Sequence, residues 1–268
     1  MVEPTPRTTP TRVALFVTCL GDVFYPHAAE ATVRVLRRLG IEVDFPLAQT
    51  CCGQPAFNAG FRPQARAVAR RNLMIFAPYE YVVVPSGSCT SMLRIFYADL
   101  FAETPALAAQ AADLARRTYE LSEFLVRVVG VEQVGAVFPA KVAYHASCHL
   151  LRELGVTEEP RRLIAQVSGA DLVPVELSEQ CCGFGGTFAV KYPEISDAML
   201  QKKIASLKRA GADTLVSCDA GCLMHIAGRL HRQGESVRIM HLAELLDARA
   251  AAATTGDAIK GPDGAPGN

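Results

Sequence analysis

The sequence predicts an α/β fold: two duplicated halves with parallel, Rossmann-like sheets, related by pseudo-twofold symmetry. Three observations predict it. Short apolar, β-branched runs alternate with segments of helical periodicity, the order that builds parallel sheets. Three landmarks occur twice, roughly 130 residues apart and in the same order: VALFVTC at 13–19 and VAYHASC at 142–148, CCG at 51–53 and at 181–183, VVPSGSC at 83–89 and VSCDAGC at 216–222. Each landmark also follows a predicted strand, at the carboxyl end where open α/β sheets bind ligands.

The elements follow in order. Residues 12–18 read as a strand ending at Cys19 and Gly21. Residues 26–39 read as a helix, with Ala28, Ala29, Val33, Leu36 and Leu39 near a 3.6 period and Gly40 as the stop. Residues 41–45 form a second strand, 53–60 a turn, 62–76 a helix and 81–84 a third strand, and Cys89 opens another helix. The second half repeats this with strands at 142–146, 171–175 and 214–217 and helices at 158–168, 193–211 and 222–234. The expected boundaries are 12–102 for the first half, 103–139 for an Ala-rich helical connector and 140–248 for the second half. Tails at 1–11 and 250–268 are expected to be disordered.

Composition narrows the function. The chain has 268 residues, half of them apolar, and its 27 basic side chains balance 27 acidic ones. That balance argues against nucleic acid, which wants a basic face. The opening MVEPTPRTTPTR lacks the apolar core of a signal peptide, and no apolar run approaches the ~18 residues of a membrane span. A cytoplasmic protein with reduced thiols is expected.

The nine cysteines are the chemical signal. Cys19, Cys51, Cys52 and Cys89 form one quartet; Cys148, Cys181, Cys182 and Cys222 form the matching one; Cys218 is the remainder, opposite Pro85. Four converging thiolates are metal ligands, and soft sulfur suits zinc, copper(I) or iron–sulfur clusters. Structural zinc sites draw on paired Cys-x2-4-Cys knuckles, which this spacing lacks. Adjacent cysteines diverge from an extended backbone, so both fit a multi-atom cluster better than one small ion. The glycine after each pair lets the backbone turn with positive φ, and its neighbouring amides can donate to sulfur. Zinc and thiol–disulfide chemistry stay open as alternatives, the latter without a Cys-x-x-Cys redox pair.

The segments CCGQPAFNAG at 51–60, PSGSC at 85–89, HASCH at 145–149, CCGFGGTF at 181–188 and GCLMH at 221–225 resemble the cysteine-rich, or CCG, domain family. Its members include a component of heterodisulfide reductase and the iron–sulfur subunits of glycolate oxidase and anaerobic glycerol-3-phosphate dehydrogenase. The resemblance covers residues 12 to about 248. It implies one or two iron–sulfur clusters of the [4Fe-4S] type and a place in a cytoplasmic L-lactate oxidising system, with a ferredoxin-like iron–sulfur protein and a third subunit as partners. The expected role is electron transfer. A cluster-based catalytic subunit of the heterodisulfide reductase type and a zinc-binding structural subunit are the alternatives. In heterodisulfide reductase each motif has a fifth cysteine close to the last one. Here the first half has Pro85, Ser86 and Ser88 in that region, and Cys218 precedes Cys222 by four residues. Cys218 is thus the candidate for an additional ligand or for direct catalysis.

Other residues carry weaker signals. His145 and His149 bracket Cys148, and His225 follows Cys222; each is read as packing beside the cysteines, with proton relay or ligand replacement as the functional reading. His27, His231 and His241 are expected on surfaces. Gly183-Phe184-Gly185-Gly186 lacks the spacing of a dinucleotide loop and reads as a cluster turn. Arg70-Arg71, Arg116-Arg117, Arg161-Arg162 and Lys202-Lys203 read as solvated helix faces.

Overall fold

A computed structural model describes residues 10–249; apart from Pro10 and Thr11, the tails expected at 1–11 and 250–268 lie outside the described residues. The first half contains strands β1 (Arg12–Leu15), β2 (Glu42–Asp44), β3 (Val82–Val84) and β4 (Thr118–Glu120). The second contains β5 (Val137–His145), β6 (Ser168–Leu172), β7 (Thr214–Ser217) and β8 (Arg238–His241). Each half is a four-stranded sheet, ordered β2-β1-β3-β4 and β6-β5-β7-β8, and every pairing is parallel. The two halves are therefore α/β units of one topology.

That order places a switch point between β1 and β3, and another between β5 and β7. At such a point the connections leave in opposite directions and open a crevice at the carboxyl ends. Cys19 follows β1 and Cys89 follows β3; Cys148 follows β5 and Cys222 follows β7. Both crevices are thus flanked by thiols.

Period-2 alternation sends the side chains of the central strands β1, β3, β5 and β7 to two different cores. Val13 and Val83 join Tyr144, Val142 and Val216 in one buried cluster that spans both halves. Their neighbours turn the other way. Ala14, Phe16, Val82 and Val84 pack against Phe76 and Leu93 in a core of the first half. Ala143 and Leu215 pack against Leu200 and Ile204 in a core of the second. The shared cluster is also fed by the helices Pro26–Arg38 and Leu242–Asp247, which pack on one another. Arg34 and Arg38 of the first reach Asp247 of the second, each at 2.5 Å.

The expected elements appear with shifted ends. Helix Arg62–Phe76 and strand Thr214–Ser217 coincide with their expected bounds. The turn expected at 53–60 holds a short helix, Gln54–Asn58, because Pro55 pre-sets helical φ just after Gly53. The segment expected as a helical connector contains helix Pro105–Arg117, and then β4, which closes the first sheet on β3. Two edge strands, β4 and β8, are additional to the expected elements; Thr118–Glu120 and Arg238–His241 carry charged residues where the central strands β3 and β7 carry none. No helix among the described residues is long and apolar enough to cross a membrane.

The halves approach closely where helix Gly87–Ser91 meets the turn after β5. A Cβ on Gly87 would stand 2.7 Å from Leu150 Cβ and 2.9 Å from Ser147 Oγ. Overpacking of this kind costs about 1–3 kcal/mol. Gly87→Ala should lower the unfolding free energy of the metal-free protein by that amount in urea titrations; an unchanged midpoint would show that the contact yields freely.

Candidate metal centre

Each quartet is assembled the same way. Cys19 opens the helix Cys19–Phe24, which is capped by Thr18 Oγ1 accepting from the Gly21 amide at 3.2 Å. Cys89 lies in helix Gly87–Ser91, capped by Ser86 Oγ accepting from the Cys89 amide at 3.3 Å. Cys148 precedes the turn His149–Glu153, and Cys222 lies in helix Ala220–Arg232. The adjacent pairs sit on loops that reverse at Gly53, φ 88°, and Gly183, φ 90°. The reversal returns the Gly53 amide to Cys51 Sγ and the Gly183 amide to Cys181 Sγ, both at 3.4 Å.

Buried polar side chains fix these loops, differently in each half. In the first, Asn72 donates to the Cys51 carbonyl at 3.0 Å and Tyr97 donates to the Cys52 carbonyl at 2.9 Å. In the second, Ser196 donates to the Gly183 carbonyl at 2.8 Å, and Lys203 donates to the Ser178 carbonyl at 3.2 Å and to that of Leu177. Lys203 was expected on a solvated face, yet it is 1% exposed. Its helix points Leu200, Lys203, Ile204 and Leu207 inward together, an i, i+3, i+4, i+7 stripe that could have revealed it. Burial brings its pKa down to about 8, against the pull of the neighbouring cysteines.

The sulfurs are crowded. Cys19 Sγ and Cys51 Sγ are 3.6 Å apart. Hydrogen bonds from Cys19 and Cys52, with backbone amides, hold the Cys51 thiol down at about 3; those from Cys148 and Cys182 hold Cys181 at about 2. The donors Cys19, Cys52, Cys148 and Cys182 are correspondingly pushed up. Sulfurs so close cannot all carry unscreened negative charge. A cation supplies that screening and displaces the remaining protons.

Both quartets open into one cavity of about 430 Å³, lined by Cys19, Cys52, Cys89, Cys148, Cys181, Cys182 and Cys222, with Phe184 and Val190 at its apolar wall. Asp219 ties the two sides together. It precedes helix Ala220–Arg232 but does not cap it; instead its carboxylate accepts from the Ser88 amide of the other half at 2.8 Å. The donor set is soft, crowded and short of positive charge, and it suits a thiophilic metal or an iron–sulfur cluster.

Cys218 lies elsewhere. Alternation turns it, like Val216, into the shared core, where its sulfur faces Tyr144 Oη at 3.7 Å; it is fully buried and does not line the cavity. His145, by contrast, is in the site: its ligand nitrogen lies within 4.8 Å of the sulfurs of Cys182 and Cys222. Desolvation holds it neutral, with its pKa down at about 3. His149 Nδ1 is 3.7 Å from Cys148 Sγ, and His225 Nε2 is 3.2 Å from Ser196 Oγ. His27 and His231 are exposed as expected. His241 is buried instead, because its Nδ1 accepts from the Ala243 amide and caps helix Leu242–Asp247. Phe184, Gly185 and Gly186 line the cavity wall, as a turn beside the cysteines would.

Comparison with known proteins fits this duplication. The chain matches the cysteine-rich domain, CCG, over residues 13–94 and 142–227, once in each half. It is 51% identical to the lactate utilization protein A of Bacillus velezensis, over 89% of this chain and all of that one. It is 50% identical to the protein of that name from Geobacillus kaustophilus, over 89% and 99%, and 48% identical to the one from Bacillus subtilis, over 89% and 100%. Among solved structures, a hypothetical protein from Helicobacter pylori shares the fold with a TM-score of 0.61 at 12% identity, over 90% of this chain and 49% of that one.

The two glycines after the cysteine pairs should differ in tolerance. A Cβ on Gly183 would meet the Ser196 carbonyl oxygen at 2.6 Å, whereas one on Gly53 meets nothing closer than 3.4 Å. Gly53→Ala should cost only the left-handed backbone penalty of about 1–2 kcal/mol. Gly183→Ala should cost more and weaken metal retention by the second half; equal denaturation midpoints for the two variants would contradict this ranking.

Proposed function

Because this chain belongs to the cysteine-rich (CCG) domain family, we propose that its two quartets hold iron–sulfur clusters and that it is the electron-transfer subunit of a cytoplasmic L-lactate oxidising system. The observation that carries the reading is that seven cysteines from two equivalent quartets line a single cavity. The names of its relatives support the pathway, and the match runs over nearly the whole length of each of them.

When bound, such clusters supply one-electron storage and release, which a side chain alone does not. The chain's own residues do the rest. Cys19, Cys51, Cys52 and Cys89 hold the first group, and Cys148, Cys181, Cys182 and Cys222 the second. The Gly53 and Gly183 amides donate to sulfur and moderate its charge. Lys203 sets a buried ammonium behind the second quartet, where the first has only the neutral Asn72 and Tyr97. Phe184 and Val190 make the shared wall apolar. A ferredoxin-like iron–sulfur protein and a third subunit are the expected partners, reached through the cavity mouth.

A zinc-holding structural subunit is the second reading, favoured by the Cys182, Cys222 and His145 donors, which zinc also accepts. Anaerobic purification with iron, sulfide and zinc determination separates the two. We expect a brown protein containing iron with matching acid-labile sulfide. Cys51→Ser/Cys52→Ser should remove part of that iron, and Cys181→Ser/Cys182→Ser the remainder. Zinc without sulfide would overturn the proposal.

A further inference from the structure

We propose that His145 is a nitrogen ligand of the second site, so that the two halves present chemically different metal environments. The argument begins with the backbone. His145 ends β5 and is 1% exposed, and its Nδ1 lies 3.2 Å from the Ser178 carbonyl oxygen. A carbonyl oxygen only accepts, so Nδ1 carries the proton. Lys203 donates to that same oxygen, also at 3.2 Å, and so fixes its position. The tautomer is thereby set, and the lone pair of the neutral ring is on Nε2.

That nitrogen is buried and has no hydrogen-bond partner among the described residues. A ring nitrogen of His145 and the sulfurs of Cys182 and Cys222 lie within 4.8 Å of one another, and Nε2 is the nitrogen that the Ser178 carbonyl leaves free. Cysteines acting as ligands are deprotonated and offer no hydrogen to a lone pair. An electron-pair donor set among thiolates favours a cation, and a metal ion held by those thiolates is within its reach. The arrangement is that of ligating histidines in general: one ring nitrogen on the metal, the other held by a backbone carbonyl that orients the ring. Imidazole suits iron as well as zinc.

The first half has no counterpart. Three residues before Cys19, where His145 stands before Cys148, is Phe16, fully buried and stacked near Phe76 at 5.3 Å between ring centroids. The first quartet is therefore an all-sulfur set and the second a mixed one.

The inference rests on the iron–sulfur reading, and the test keeps the two apart. Full-length protein labelled with 15N-histidine is loaded with iron and sulfide under anaerobic conditions, and nitrogen hyperfine coupling is read by pulsed electron paramagnetic resonance. Failure to bind any iron refutes the iron–sulfur reading. With iron bound, the expected result is coupling from one directly bonded imidazole nitrogen that persists in the His149→Gln/His225→Gln variant and is lost in His145→Phe, which installs the first half's own residue. Iron binding with no such coupling overturns the inference, as does coupling that disappears in His149→Gln/His225→Gln. Should His145→Phe fail to load its second site, the wild type and the double variant still decide the matter.

Discussion

Everything at the cavity depends on the approach of helix Gly87–Ser91 to the turn that starts at Ser147. There is no space for a side chain at Gly87, so the N-terminal turn that carries Cys89 can lie directly on the segment that carries Cys148. Asp219 completes the junction by capping the opposite half's helix, not its own. The helix N-termini that present Cys89 and Cys222 are thus joined through one carboxylate. Two separate α/β units would place their switch-point crevices independently. Here packing and one charged hydrogen bond merge them.

The shared core explains why duplication produced one body. The inward residues of both sheets, Val13 and Val83 on one side and Tyr144 and Val216 on the other, contribute to a common cluster. The outward residues build a private core for each half. A fully buried valine contributes about 1.5–3 kcal/mol relative to exposure, so neither half could give up the shared face cheaply.

Much of this was legible in the sequence. Strand–helix alternation gave the class, and the repeat of three cysteine landmarks placed two equivalent sites at strand ends. What stayed hidden has a common physical origin. β4 and β8 are short and carry charged residues, unlike β3 and β7. Cys218 looked like a fifth member of the second quartet because sequence distance to Cys222 is small, but strand alternation carries its sulfur to the other face. Lys203 and His241 looked like surface groups because charge and polarity are poor guides once backbone carbonyls or a helix end are waiting as partners. Asn72, Tyr97 and Ser196, which hold the cysteine loops, are ordinary residues in helices, and only tertiary contact identifies them. His145 was visible as a neighbour of Cys148, but its orientation required the carbonyl of Ser178.

The packing of helix Leu242–Asp247 on helix Pro26–Arg38 has a consequence for how the protein is made. The first sheet is synthesised well before the second, yet the helix that covers its Pro26–Arg38 layer follows the last strand of the second half. Contacts of such long sequence separation are slow to close, and domains of a growing chain generally fold as units. The first half must therefore wait, with part of its apolar face uncovered, until the whole second half has left the ribosome. The cavity that both quartets line is therefore complete only once both halves have been made.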